Sequence, residues 1–137
     1  MAAGKAKFFL DSNVVLYLLS QDAAKADAAE SLLQLRPVIS VQVLNEVTHV
    51  CVRKFKMGWD EVGQFLALVR EFCKIVPLTV NVHDRARQLA ERYQLSFYDA
   101  CIVAAAAIEG CQTLYTEDMH HGLVIDDRLS IQNPFQD

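Results

Sequence analysis

Short apolar runs alternate with longer helical stretches from one end of this chain to the other, and that alternation limits what it can fold into. Lys7 to Leu10 (K-F-F-L) reads as a short buried strand, and Asn13 to Leu19 as a short helix. Ala23 to Leu35 is alanine-rich and helix-favouring, and Pro37 breaks it. Val38 to Ser40 reads as a second strand. In the helix predicted over Val41 to Phe55, Val43, Leu44, Val47, Val50, Cys51 and Phe55 keep a 3.6-residue spacing, and Gly58 ends it. Asp60 to Cys73 is a further helix, and Ile75 to Leu78 a third strand shortened by Pro77. Val82 to Tyr93 is helical. Ser96 opens a helix with interior C-I-V-A-A-A-A-I that runs to Gly110; a helix apolar on all sides is expected to be buried. Gln112 to Tyr115 and Gly122 to Ile125 read as the last strands. Repeated strand-then-helix order predicts an α/β fold, a three-layer α/β/α sandwich around a mostly parallel sheet with right-handed crossovers.

A chain of 137 residues makes one domain, 1–137, and is long enough to build its own core. Hydrophobic residues at 53% and charged residues at 22% exclude a disordered chain. No apolar run reaches a membrane-spanning length, and Met1 to Lys7 lacks the pattern of a secretory signal. Cys51, Cys73, Cys101 and Cys111 show no C-x-x-C spacing. They read as reduced core thiols in a cytoplasmic protein. The net charge of −4 is not the basic footprint of an ordinary nucleic-acid binder. An acidic chain can still act on nucleic acid if some of its acids hold metal ions.

In open α/β sheets ligands bind beyond the carboxyl ends of the strands, so the residues leaving those ends matter most. Asp11 directly follows F-F-L, and Asp118 lies just past the fourth strand. Glu46 lies one turn into the helix after the second strand, and Asp99 in the first turn of the apolar helix. A sheet wound as predicted can bring these four together. Clustered carboxylates are hard oxygen ligands that suit Mg²⁺ or Mn²⁺, and such ions promote phosphodiester displacement. Each acid also has a plainer reading. Asp11 can cap the helix that follows, Asp99 has capping-box spacing from Ser96, Glu46 can be a solvated helix acid, and Asp118 a loop residue.

Other chemistries find less support. There is no G-x-S-x-G elbow, no positioned Cys-His pair, no G-x-x-x-x-G-K-[ST] and no G-x-G-x-x-G. Asp11 is followed by Ser12 and Asn13, not by the D-x-D of a dehalogenase-like phosphatase, and no lysine of a receiver domain occurs after Lys74.

D-S-N-V at Asp11–Val14, V-L-N-E at Val43–Glu46, Y-D-A at Tyr98–Ala100 and L-Y-T-E-D at Leu114–Asp118 resemble, in order and spacing, the motifs of the PIN domain. The match is nearest to the VapC-like ribonucleases of bacterial toxin–antitoxin modules and extends from Phe8 to about Asn133. The resemblance implies a Mg²⁺- or Mn²⁺-dependent endoribonuclease that cleaves RNA with metal-activated water. It implies Asp11, Glu46, Asp99 and Asp118 as catalytic and metal-ligating acids, with Ser12, Asn13, Thr116 and Glu117 as polar helpers. Which of Glu117 and Asp118 faces the metal is open, with Asp118 favoured. It further implies an RNA substrate, a cognate antitoxin and a homodimer.

Arg53, Lys54, Lys56, Arg85, Arg87 and Arg92 are candidate phosphate contacts, although a solvated face accounts for most such charges. His120-His121 read as loop residues, and Asp126-Asp127 as a turn after the last strand. The alternative function is a non-catalytic α/β interaction module whose acids only cap helices, with Tyr17, Phe55, Trp59 and Phe65 as its contact surface if exposed.

Overall fold

The computed structural model describes residues 6–136. Strand β1 (Phe8–Leu10) leads into helix α1 (Ser12–Leu16), a 3₁₀ turn (Tyr17–Leu19) and α2 (Ala23–Gln34). Strand β2 (Val38–Ser40) is followed by α3 (Val41–Arg53) and α4 (Trp59–Phe72), and β3 (Lys74–Val76) by α5 (Val80–Tyr93) and α6 (Phe97–Ile108). The chain closes with β4 (Thr113–Tyr115), β5 (Val124–Ile125) and β6 (Leu129–Gln132). Side chains at the helix starts satisfy otherwise unpaired N–H groups. Asp11, Asp22, Ser40, Thr79 and Ser96 accept at the starts of α1, α2, α3, α5 and α6. At the start of α4 the Glu61 carboxylate accepts from Gly58 N–H instead.

The six strands form one sheet in the order β3-β2-β1-β4-β6-β5, parallel except for β5 against β6. From β1 to β3 the chain steps one way along the sheet, and β4 then returns to the other side of β1. The winding direction therefore reverses between β1 and β4. Right-handed crossovers place the helices before and after that reversal on opposite faces. Helices α1 to α4 pack with one another and α5 packs against α6, while α3 and α6 also meet. Helix α6 is the most deeply buried, with every residue from Ala100 to Ala106 buried. Its small side chains allow close approach to β2 and β4.

Two sequence expectations need correction. Asn13 to Leu19 is not one helix, because α1 ends at Leu16 and the chain tightens into a 3₁₀ turn before Asp22 caps α2. Gly122 to Ile125 holds a strand, β5, but not the last one, and Asp126-Asp127 are a turn as expected but stand before the last strand. These two residues form the left-handed turn, φ 51° and 60°, that sends the chain back as β6. Strand β6 is only four residues long and half polar, so it carries little apolar signal. Leu129 and Ile131 nevertheless alternate into the core with strand periodicity. The four cysteines are free, as expected, and Cys51, Cys101 and Cys111 are buried. Burial pushes the Cys111 thiol up to about 11, which keeps it unreactive. Among the described residues no helix is long and apolar enough to cross a membrane.

The inserted strand gives a direct test. Ile131 is fully buried, whereas Val124 on neighbouring β5 is half exposed. Ile131→Ala is expected to cost roughly 2–5 kcal/mol in urea denaturation. Val124→Ala should stay within about 0.5 kcal/mol. Equal costs would contradict the placement of β6.

Candidate active site

The reversal between β1 and β4 opens a crevice at their carboxyl ends, where such sheets bind ligands. Leu10 pairs with Tyr115 in register, so Asp11 and Thr116 leave the sheet side by side. Asp11 N–H donates to the Tyr115 carbonyl at 3.0 Å, and Thr116 N–H to the Gln132 carbonyl at 2.9 Å. Both side chains are buried. One Asp11 oxygen accepts from Ser12 N–H at 2.7 Å and so caps α1. The other accepts the Thr116 hydroxyl at 2.8 Å. The carboxylate is thus surrounded by neutral donors. Burial, aided by the Glu46 and Asp99 charges, pushes its pKa up to about 6.

The remaining acids come from three other elements. Glu46 sits on α3, and its two oxygens accept from Ser12 Oγ at 2.8 Å and Gln42 Nε2 at 2.9 Å. Asp99 sits in the first turn of α6. Its N–H donates to Ser96 Oγ at 3.3 Å, so Ser96 is the helix cap. Burial raises the Asp99 carboxyl above its usual range, and the charges of Asp118 and Glu46 add to this. Asp118 follows β4 on an exposed loop and accepts from Asn13 Nδ2 at 3.0 Å. Asn13 Nδ2 also reaches Thr116 Oγ1 at 3.2 Å. Ser12, Asn13 and Thr116 thus link Asp11, Glu46 and Asp118 at one sheet end, and the Asp99 carboxylate lies near enough for its charge to act on theirs.

Glu117 points elsewhere. Its carboxylate accepts from Tyr17 OH at 2.6 Å and Lys25 Nζ at 3.0 Å. The Tyr17 hydroxyl bond holds its pKa below the usual range, and Lys25 reinforces this. Between the two neighbours, Asp118 is the one bonded into the acid group. Sequence reasoning missed the contacts of Gln42, Tyr17 and Lys25. Gln42 stands four residues before Glu46 on a helix, a spacing that puts two side chains in reach. Lys25 is far from Glu117 in sequence and carried no such signal.

Every donor in the group is a hard oxygen. Among the described residues no lysine or arginine forms a salt bridge with Asp11, Glu46, Asp99 or Asp118. Also among them, no three His, Cys, Asp or Glu side chains stand close enough to grip an ion as they are. Mg²⁺ keeps several waters and takes only one or two carboxylates directly, so the donor set still fits it. Of the candidate phosphate contacts, Arg85 and Arg92 are bound to Asp126, and Arg87 to Asp84. Arg53, Lys54 and Lys56 are exposed at the end of α3. His121 Nδ1 accepts from Asn133 N–H at 2.9 Å and so fastens the C-terminal segment.

A family model described as the PIN domain matches residues 8–122. No curated protein matches the chain in sequence. Solved structures share the fold at low identity. The toxin VapC20 of Mycobacterium tuberculosis, described as cleaving the sarcin-ricin loop, superposes with TM-score 0.66 at 21% identity, over 82% of this chain and 90% of that one. A toxin–antitoxin complex from Klebsiella pneumoniae gives 0.71 at 21% identity, over 95% and 99%. DNA-bound VapBC from Salmonella typhimurium gives 0.66 at 19% identity, over 95% and 99%.

The buried acid predicts an unusual pH dependence. Native Asp11 keeps its proton to about pH 6, while the unfolded chain releases it near 3.8. The native state therefore binds more protons between these values. Its contribution to stability is fully present below pH 3.8 and is lost as pH rises through 6. The loss amounts to about 3 kcal/mol. Asp11→Asn keeps an oxygen able to cap α1 and cannot ionise. In chelator it is expected to melt above wild type at pH 7.5, with the gap closing towards pH 4. A variant that melts lower at both pH values would make the lost hydrogen bonds dominant.

Proposed function

Because the chain belongs to the PIN-domain family, we propose that it is a divalent-metal-dependent endoribonuclease with Asp11, Glu46, Asp99 and Asp118 as its carboxylate centre. Asp11 is the observation that carries the reading. A buried carboxylate raised to about 6, beside other acids and with no cation salt-bridged to it among the described residues, costs the fold stability. Mg²⁺ or Mn²⁺ supplies the charge that offsets this cost. When bound, one such ion would supply a lowered water pKa for the attack, and a second would supply charge for the leaving 3′ oxygen.

Asp11 and Asp99 would be the principal holders of such an ion, with Glu46 and Asp118 completing the site directly or through waters. Ser12 and Gln42 fix the Glu46 carboxylate from both sides. Thr116 orients Asp11, and Asn13 orients Asp118. No side chain acts as a nucleophile, and products carry a 5′ phosphate and a 3′ hydroxyl. Arg53, Lys54 and Lys56 offer cations for RNA phosphates. A cleft of about 620 Å³ adjoins the acids, lined by Asn13, Leu16, Tyr17, Val50, Lys54 and Phe55 among others. Apolar surface beside a charged centre suits a restraining antitoxin segment, the partner that the toxin–antitoxin neighbours suggest. The reading includes a homodimer working in the cytoplasm with reduced thiols.

Capping alone accounts for less. It explains one oxygen of Asp11 and leaves the second, with Thr116, unexplained. Ser96 already caps α6 without the Asp99 carboxylate. Of the surface proposed for an interaction module, Phe65 is in the core.

Purified protein incubated with pooled tRNA, rRNA and mRNA tests the proposal. Cleavage is expected with Mn²⁺, to be lost in chelator, and to fall at least about a hundredfold in Asp99→Asn. Cleavage that survives both chelator and Asp99→Asn, or no cleavage of any pool, would count against it.

A further inference from the structure

Asp118 stands on an exposed loop, and its neighbour Glu117 is held by a contact that the proposed chemistry does not use. Lys25 Nζ reaches Glu117 at 3.0 Å and Tyr17 OH at 3.2 Å. It lies over the Tyr17 ring at 4.7 Å and the Phe135 ring at 5.4 Å. Those rings meet edge to face at 4.8 Å. The 3₁₀ turn, the loop after β4 and the C-terminal segment thus converge on Lys25 of α2, and Glu117 takes its side-chain bonds from Tyr17 and Lys25. Glu117 N–H also donates to Asn13 Oδ1 at 3.1 Å, and the same Asn13 amide donates to Asp118.

Helix α2 by itself gives no reason for this lysine. Lys25 lies in the first turn after the Asp22 cap, where the helix dipole disfavours a cation. Its partner across the fold supplies the compensation. We infer that Lys25, Tyr17 and Glu117 form a clasp that positions Asp118 for divalent-cation binding. Glu117 and Asp118 are adjacent, so anchoring one limits the travel of the other. Lys25 and Tyr17 touch none of the four acids, and they are positioning residues. The inference rests on the reading of Asp118 as part of the metal centre.

The sign of the effect separates positioning from simple charge. Removing a cation near an acidic site strengthens cation binding if Coulomb attraction alone matters. Release of Glu117 as a competing ligand would strengthen it too. Loss of positioning weakens it. Mn²⁺ binding is measured by titration calorimetry on wild type, Lys25→Met, Lys25→Arg, Tyr17→Phe and Asp99→Asn, each checked for folding by circular dichroism. Lys25→Met is expected to bind Mn²⁺ roughly tenfold more weakly, the scale of supporting-residue effects at metal sites. Lys25→Arg keeps the charge and donors to Glu117 but changes the shape of the head group, so it should weaken binding less than Lys25→Met. Tyr17→Phe keeps the ring packing and loses only the hydroxyl, so it carries the test if Lys25→Met does not fold. It should weaken binding several-fold. Lys25→Met or Tyr17→Phe binding as tightly as wild type or tighter, with Asp99→Asn defective, overturns the clasp alone. No binding by wild type, or full binding by Asp99→Asn, overturns the metal centre and the clasp with it.

Discussion

A carboxylate at the end of the central strand, buried among neutral donors, is the constraint on which the rest of this site turns. Asp11 follows β1 directly, and its backbone N–H is bonded to the Tyr115 carbonyl, so the sheet fixes where the residue stands. Its oxygens are already committed, one to the start of α1 and one to Thr116. Burial and the nearby charges of Glu46 and Asp99 then work against ionisation. A protein selected for stability alone would do better with a neutral residue here. A carboxylate of this kind is sensible where a cation completes it.

The topology explains why these acids meet. Elements distant in sequence become neighbours only because the winding reverses between β1 and β4. Asp11 comes from one side of the reversal and Thr116 and Asp118 from the other. Glu46 arrives on α3, the helix that follows β2, and Asp99 on α6, the second helix between β3 and β4. Ser12, Asn13 and Thr116 fill the gaps between them with hydroxyl and amide donors. Those donors spread the negative charge over hydrogen bonds, and the carboxylates do not touch.

Much of this was legible in residue order. The strands β1 to β4 and the long helices announced themselves through apolar spacing, Asp11 and Asp118 through their place just past strands, and Glu46 and Asp99 through theirs near helix starts. What was missed has a physical reason. Strand β6 lies inside the sheet yet buries only Leu129 and Ile131, and its polar alternate residues dilute the signal. The 3₁₀ turn at Tyr17–Leu19 has the same apolar pattern as a helix, and only the sharp route into α2 distinguishes it. The orientation of Glu117 depended on Lys25, 92 residues away, and no local pattern encodes such a pairing. Local chemistry thus marked the candidate acids, while long-range pairing decides how Glu117 beside them is held.

The central claim is that these carboxylates exist to hold a divalent cation. Anomalous X-ray diffraction at the manganese edge, from crystals soaked in Mn²⁺, addresses it without any knowledge of the RNA. An anomalous peak is expected between Asp11 and Asp99, with Glu46 and Asp118 reached directly or through waters. Crystals that take up Mn²⁺ elsewhere, such as at Asp126 and Asp127, and leave the space between Asp11 and Asp99 without a peak would contradict it.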